Sequence, residues 1–432
     1  MNIKSNFNFT LGIFLSLHLI GVRAAEEPTI NIRIDGPNAQ ALGQAKGYPS
    51  CALAVQKPEC RVGAWSSAYP SNYRYEVKPS ANPSELPRMT LAKPIKWRTT
   101  FVDKTVDDYM NEAQITGLLI LKNGQIVEER YQYDRQPNMP MRSFSMAKSF
   151  TSMLIGIALE KGFIKSLDDR VSDYWPEISP SAYGQTTLKN LLRMSSGVKF
   201  KELYTWTDDD DIWIWSKLLY DASNYKKPFV VINYLNSKTV REYEQGTRFN
   251  YASIETDLLG RVLINATGRS MAELTEEWIW KPMGAEHSAY WLYSTTDGVE
   301  AASGGFNATL RDYGRFGVLL ANNGKRDSQT IIPYDYLMEA TDAEKQPKAF
   351  KPKAATPFMG YGYQVWILPF RTRTFALQGI HGQTIFVQPE TQVVMVQTAV
   401  YTSASGKQDN KPYLLRQAMW EGVLRSLGGR VD

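Results

Sequence analysis

The chain has 432 residues, of which 43% are hydrophobic, 22% charged and 12% aromatic. That is the composition of a globular protein with a large core, and it excludes a wholly disordered chain. No short period, heptad run or collagen-like repeat occurs, so solenoids and long coiled coils are excluded. The formal net charge is only +5 and no dense Lys/Arg patch is found, so no nucleic-acid partner is expected.

Residues 1–24 read as a signal peptide. Lys4 supplies the positive start, Phe9 to Val22 the apolar stretch, and Val22-Arg23-Ala24 a small-x-small cleavage site. The stretch is short for a bilayer core of about 30 Å. No later segment is apolar for long enough to span. The mature protein is therefore expected to be periplasmic or secreted, with no stable membrane insertion.

Residues 25–98 read as an irregular extension draped on the body. They carry scattered prolines, among them Pro28, Pro37, Pro49, Pro58, Pro70, Pro79, Pro83 and Pro87. The only two cysteines, Cys51 and Cys60, fall here. In an exported chain they predict one disulfide stapling a local turn.

Residues 99–432 form the body. A short helix is expected over 105–112. Two strands follow over 117–122 and 125–128, joined by Asn123-Gly124 as a hairpin turn. The clearest helix is 145–162: Phe150, Met153, Leu154, Ile157 and Ala158 share one face, and Gly162 stops it. Helices and loops dominate about 163–285, including 188–194 and 253–266. Strands return at 362–368, 374–377, 384–388 and 392–398, and a helix over 416–427 closes the chain. Strands at both ends of a helical middle predict an α/β (α+β) domain with one largely antiparallel sheet and a helical subdomain.

Ser145-Met-Ala-Lys148 is an S-x-x-K sequence at the start of a helix. Positions i and i+3 share a helix face, so Lys148 reaches the Ser145 hydroxyl. The helix N-terminus favours anionic character there. A lysine acts as base only where burial or other cations lower its pKa. Tyr251, in Asn250-Tyr251-Ala-Ser253, stands at a loop-to-helix junction where a phenol can relay a proton. Gly379-Ile-His381-Gly382-Gln383 lies between two strands, where glycine lets the backbone approach a substrate and an N–H joins that of Ser145 in an oxyanion hole.

These motifs in this order resemble the β-lactamase/penicillin-recognising serine hydrolases. Within them the chain is most similar to the class C β-lactamase-related branch, which includes family VIII-type esterases and 6-aminohexanoate-dimer hydrolases. The stretches that carry the likeness are Ser145-Met-Ala-Lys-Ser-Phe, Ser166-Leu-Asp-Asp-Arg-Val, Leu188-Lys-Asn-Leu-Leu-Arg-Met-Ser-Ser-Gly197, Gly304-Gly305-Phe and Gly379-Ile-His-Gly-Gln383. They cover about residues 100–430. The resemblance implies a β-lactamase/transpeptidase-like fold, Ser145 as nucleophile, Lys148 as its base and Tyr251 as partner acid/base. Ser253 takes the third place of a Tyr-Xaa-Asn motif. The oxyanion hole falls to the backbone N–H groups of Ser145 and Gln383, with His381 and Gly382 lining the pocket. No cofactor is implied.

The chain departs from that pattern twice. Ser253 replaces Asn, and Ile380-His381-Gly382 replaces the Lys-Thr-Gly of true β-lactamases. The missing lysine normally holds a substrate carboxylate, so its loss favours small-molecule esters and short linear amides over β-lactams and peptidoglycan stems. The alternatives are a β-lactamase or D-Ala carboxypeptidase, and a catalytically silent sensor on the same fold.

Trp206, Trp213 and Trp215 fall in the helical part and are candidates for an apolar substrate wall. The run Asp208 to Asp211 reads as an acidic first turn complementing a helix dipole. His287 reads as structural. A Ser-His-Asp site is disfavoured because no G-x-S-x-G occurs. No metal site is expected, since His18, His287 and His381 are the only histidines and no H-E-x-x-H is found.

Overall fold

Eight strands form the main sheet of the computed structural model, which describes residues 30–51, 57–66 and 73–432. The expected leader, 1–24, lies outside the described residues. The strands are β1 (Asn31–Ile32), β2 (Ile115–Lys122), β3 (Gln125–Tyr131), β4 (Gly360–Tyr361), β5 (Trp366–Ile367), β6 (Phe375–Gly379), β7 (Gln383–Gln388) and β8 (Val393–Ala399). Their order is β1-β3-β2-β8-β7-β6-β5-β4, and every pair is antiparallel except β1 with β3. β2, β7 and β8 are buried almost throughout. Such strands read as apolar runs rather than alternations, because helices cover both faces. Asn123 and Gly124 have φ of 52° and 73°, the left-handed pair that a two-residue hairpin turn between β2 and β3 requires.

On one face the helix Leu310–Ala321 lies close against the sheet. A side-chain carbon at Gly314 would meet Leu119 at 2.6 Å and one at Gly317 would meet Val394 at 2.6 Å, so only glycine permits this approach. Behind it runs the helix Ala147–Glu160, buried from Ala147 to Ala158. Its Phe150 stacks on Phe316 with ring centroids 3.8 Å apart. Truncating so buried a phenylalanine costs about 3–5 kcal/mol. On the other face the helix Lys411–Ser426 presents Trp420 to Phe386, stacked at 5.1 Å. The expected helices and C-terminal strands all form. The expected 362–368 strand is two short ones, β4 and β5, and the expected helix 145–162 opens with a separate 3₁₀ turn, Phe144–Met146.

The stretch expected as a helical subdomain, 163–285, holds the helices Leu188–Leu192, Asp211–Tyr220, Phe229–Asn236 and Ser253–Thr267. Among the described residues, no helix is long and apolar enough to cross a membrane.

The described part of the extension holds more regular structure than its prolines suggest. It supplies β1, a helix Pro58–Trp65, and the strand Arg74–Val77. That strand is the edge of a second sheet with Ala289–Leu292, Phe306–Ala308 and Met141–Arg142. Backbone pairing to the body overrides the weak local signal. Cys51 and Cys60 are joined in the expected disulfide.

Candidate active site

Ser145 sits in the 3₁₀ turn Phe144–Met146, immediately before the helix Ala147–Glu160. The second sheet ends at Arg142, and Ser143 N–H donates to Phe306 O at 2.9 Å, which fixes the entry to this turn. One helical turn on, Lys148 is 2% exposed. Its Nζ lies 3.1 Å from Ser145 Oγ, 2.9 Å from Ser253 Oγ and 2.7 Å from Ser303 O. Burial lowers its pKa from 10.5 to about 8, against the opposing pull of Glu202 and Asp257. At pH 7.5 that raises the neutral fraction from roughly one in a thousand to roughly a quarter.

Ser253 opens the helix Ser253–Thr267 and is buried. Its N–H donates to Glu202 Oε2 at 2.7 Å and its Oγ–H to Glu202 Oε1 at 2.8 Å. A hydroxyl has one proton, so Ser253 Oγ can only accept from Lys148. Ser303 O is a carbonyl and also only accepts. When Lys148 is neutral, two of its three contacts still take its two protons. Its lone pair is left facing the third, Ser145 Oγ–H. Of these three contacts, only the Ser145 hydroxyl can donate to the neutral amine.

Tyr251 joins the same cluster. The Lys148 Nζ stands 5.2 Å from its ring centre, and the ring stacks on Trp366 at 5.5 Å and meets Tyr361 edge-on at 6.2 Å. Burial and the nearby Glu202 charge push the phenol well above 10, while a hydrogen bond with the Ser145 side chain opposes them. The phenol thus stays protonated at neutral pH and is a donor.

The structure adds two carboxylates to the cluster, Glu202 and Asp257. Glu202 also accepts from Tyr204 Oη at 2.5 Å. Asp257 accepts from Ser303 N at 2.8 Å and Trp215 Nε1 at 2.7 Å, so it fixes the carbonyl that holds Lys148. Asp257 follows Ser253 by four residues on one helix face, a legible signal. Glu202 meets Ser253 across 51 residues with no local pattern to betray it.

The strand side of the cluster differs from expectation. Gly379, not Gly382, is the glycine against the Ser145 turn: a side-chain carbon there would lie 2.3 Å from Ser143 O and 3.1 Å from Phe144 Cβ. Gly382 instead faces Tyr401 and Ala399, away from Ser145. His381 is 3% exposed, its Nδ1 lies 2.8 Å from Tyr401 O, and it packs on Trp65 and Phe144. Neither residue lines a pocket beside Ser145. Burial lowers the His381 pKa from 6.5 to about 4.

Gln383 lies opposite Gly379 in the β6–β7 hairpin. Leu368 N–H donates to Thr374 O, so alternate residues of β6 turn to β5 and the others, Gly379 among them, turn to β7. The Gln383 N–H is thereby directed at Gly379, and its side chain is held by both backbone groups of Ala399. This corrects its expected place in an oxyanion hole. The next N–H turned the other way is that of Ile380.

Trp206 and Trp213 meet edge-on at 5.9 Å, and Trp206 lies 6.5 Å from the Tyr204 ring that contacts Glu202. They flank the cluster on one side and are partly exposed. Trp215 is buried behind it as the partner of Asp257. Asp210 is buried and accepts from the N–H groups of Leu203 and Thr205, at 3.0 and 2.9 Å. It ties the loop that carries Glu202 and Trp206. This is more specific than the dipole role expected of it. His287 lies 3.8 Å from the buried Asp312, outside the cluster.

The chain is 23% identical over 370 residues to the 6-aminohexanoate-dimer hydrolase of Paenarthrobacter ureafaciens, covering 83% of this chain and 92% of that protein. In structure it is similar to a putative 6-aminohexanoate-dimer hydrolase from Bacillus anthracis, with a TM-score of 0.76, 22% identity and coverage of 89% and 100%. A family VIII carboxylesterase gives a TM-score of 0.55 at 16% identity, with coverage of 74% and 95%. The profile of the Beta-lactamase family matches residues 102–418, and the chain belongs to that family.

Proposed function

We propose that this chain is an exported serine hydrolase that cleaves esters or small linear amides through an acyl-Ser145 intermediate. The observation that carries the reading is Lys148. It is buried, its pKa is lowered to about 8, and of its three hydrogen-bond contacts Ser145 Oγ–H is the one able to donate to a neutral amine. Lys148 takes the proton as Ser145 Oγ attacks the substrate carbonyl. The backbone N–H groups of Ser145 and Ile380 receive the oxyanion. Tyr251, kept protonated, supplies the proton to the leaving alkoxide or amine. The reverse path activates the water that releases the acid.

The strand residues before Gly379 are Leu377 and Gln378, so no lysine stands there to hold a substrate carboxylate. This supports neutral esters and linear amides over β-lactams. The name of the 6-aminohexanoate-dimer hydrolase to which the chain is similar points the same way. The leader-like start and the Cys51–Cys60 disulfide support export. The test is hydrolysis of p-nitrophenyl butyrate and of 6-aminohexanoate linear dimer by wild type and Ser145→Ala. Turnover of either, lost in the variant, supports the reading. Equal turnover by the variant overturns it.

A further inference from the structure

The helix Pro58–Trp65 belongs to the N-terminal extension, yet its last residue reaches the back of the reactive cluster. Trp65 is 4% exposed. It meets Phe144 edge-on at 4.9 Å and lies tilted on His381 at 4.6 Å. Phe144 is the residue before Ser145, and His381 the residue after Ile380. Both have left-handed backbone, with φ of 46° and 61°. For residues with a side chain this costs on the order of 1 kcal/mol or more, and it persists only where the surroundings impose it.

The helix itself is held from two directions. A side-chain carbon at Gly63 would lie 2.2 Å from Tyr48 O, so the helix presses on the segment leading to Cys51. Cys60, within the helix, is bonded to Cys51. At the helix end Ser66 Oγ accepts from Arg135 Nη1 at 3.0 Å. A disulfide across a sequence separation of 9 contributes about 2–3 kcal/mol by limiting the unfolded chain, and it fixes one local arrangement.

We propose that Trp65 is a positioning residue: a wedge, kept in place by the Cys51–Cys60 bond, that sets the Ser145 turn and the Gly379–Gly382 turn at their working separation. This rests on the acyl-Ser145 reading. Among the described residues, Ser145 and the Ile380 N–H come from elements that share no hydrogen-bonded ladder; the two turns meet at Gly379, and Trp65 backs both by packing on Phe144 and His381. Losing it leaves the Phe150 core intact and misplaces two reacting groups, a defect of the chemical step.

The experiment is the rate at which a fluorophosphonate probe labels Ser145 in the full chain, with thermal melting in parallel. Wild type, Trp65→Ala, Trp65→Phe and Ser145→Ala are compared. Trp65→Ala is expected to label at least about tenfold more slowly while still melting cooperatively. Trp65→Phe, which keeps an aromatic wall, is expected to recover most of the rate. If the alanine variant does not fold, Trp65→Leu is read by the same rate. Labelling of Trp65→Ala or Trp65→Leu at the wild-type rate overturns the wedge, as does a loss that phenylalanine leaves unrestored. No labelling of wild type would instead overturn the acyl-Ser145 reading itself.

Discussion

Glu202 accepts both hydrogen-bond donors of Ser253, the backbone N–H at 2.7 Å and the Oγ–H at 2.8 Å, and by doing so leaves Ser253 Oγ only as an acceptor for Lys148. One carboxylate thus decides which way a neutral lysine points. Its charge also acts on Lys148 directly, holding the amine more basic than burial alone would. Replacing Glu202 by Gln removes that charge, so the Lys148 pKa falls. The ascending limb of kcat/KM against pH should move to lower pH, and kcat should fall about tenfold as the Ser253 proton loses its fixed acceptor. A limb left in place would contradict the assignment.

In the wild type the ascending limb should centre near pH 8, where Lys148 loses its proton. The sign follows from a lowered pKa: the active, neutral amine accumulates above about 8, whereas a free lysine would need about 10.5. Lys148→Ala should abolish turnover by both candidate substrates. The measurement is a pH–rate profile on p-nitrophenyl butyrate.

His381 gives a separate prediction, on stability. Its folded pKa, about 4, lies below the ordinary 6.5. Between those values the unfolded chain binds more protons. Stability from this residue is then fully present above pH 6.5 and is lost as the pH falls toward 4. The loss is up to about 3 kcal/mol. His381→Gln should flatten that part of the stability curve, read by denaturant unfolding at several pH values. Activity should show no inflection near pH 6.5, because this imidazole stands outside the reacting cluster.

Gly379→Ala should be strongly impaired. The added carbon would lie 2.3 Å from Ser143 O, so either the nucleophile turn or β6 has to move. Labelling of Ser145 by a fluorophosphonate should slow by about a hundredfold. Full reactivity of this variant would contradict the close packing of the two elements.

Much of this was readable from residues alone. The Ser145–Lys148 pair shows because i and i+3 spacing is a local signal, and the helix apolar face around Phe150 makes it secure. Asn123-Gly124 marks its hairpin for the same reason. Tyr251 shows only through the motif around it. The glycine-rich stretch was harder: Gly379 and Gly382 sit three apart, and only the ladder, which turns Gly379 to Ser143 and Gly382 to Tyr401, separates them. Glu202 and Trp65 gave no signal, since each acts across the chain through a contact that folding creates. Trp65 was further hidden in a proline-rich stretch whose order comes from pairing with the body.

The central claim is the covalent intermediate on Ser145. It is tested most directly by acid-quenching the wild type during turnover of p-nitrophenyl butyrate and measuring intact and peptide masses. The account predicts a butyryl adduct confined to the peptide that contains Ser145, absent from Ser145→Ala. Turnover that continues in Ser145→Ala, or an adduct on another residue, would contradict it.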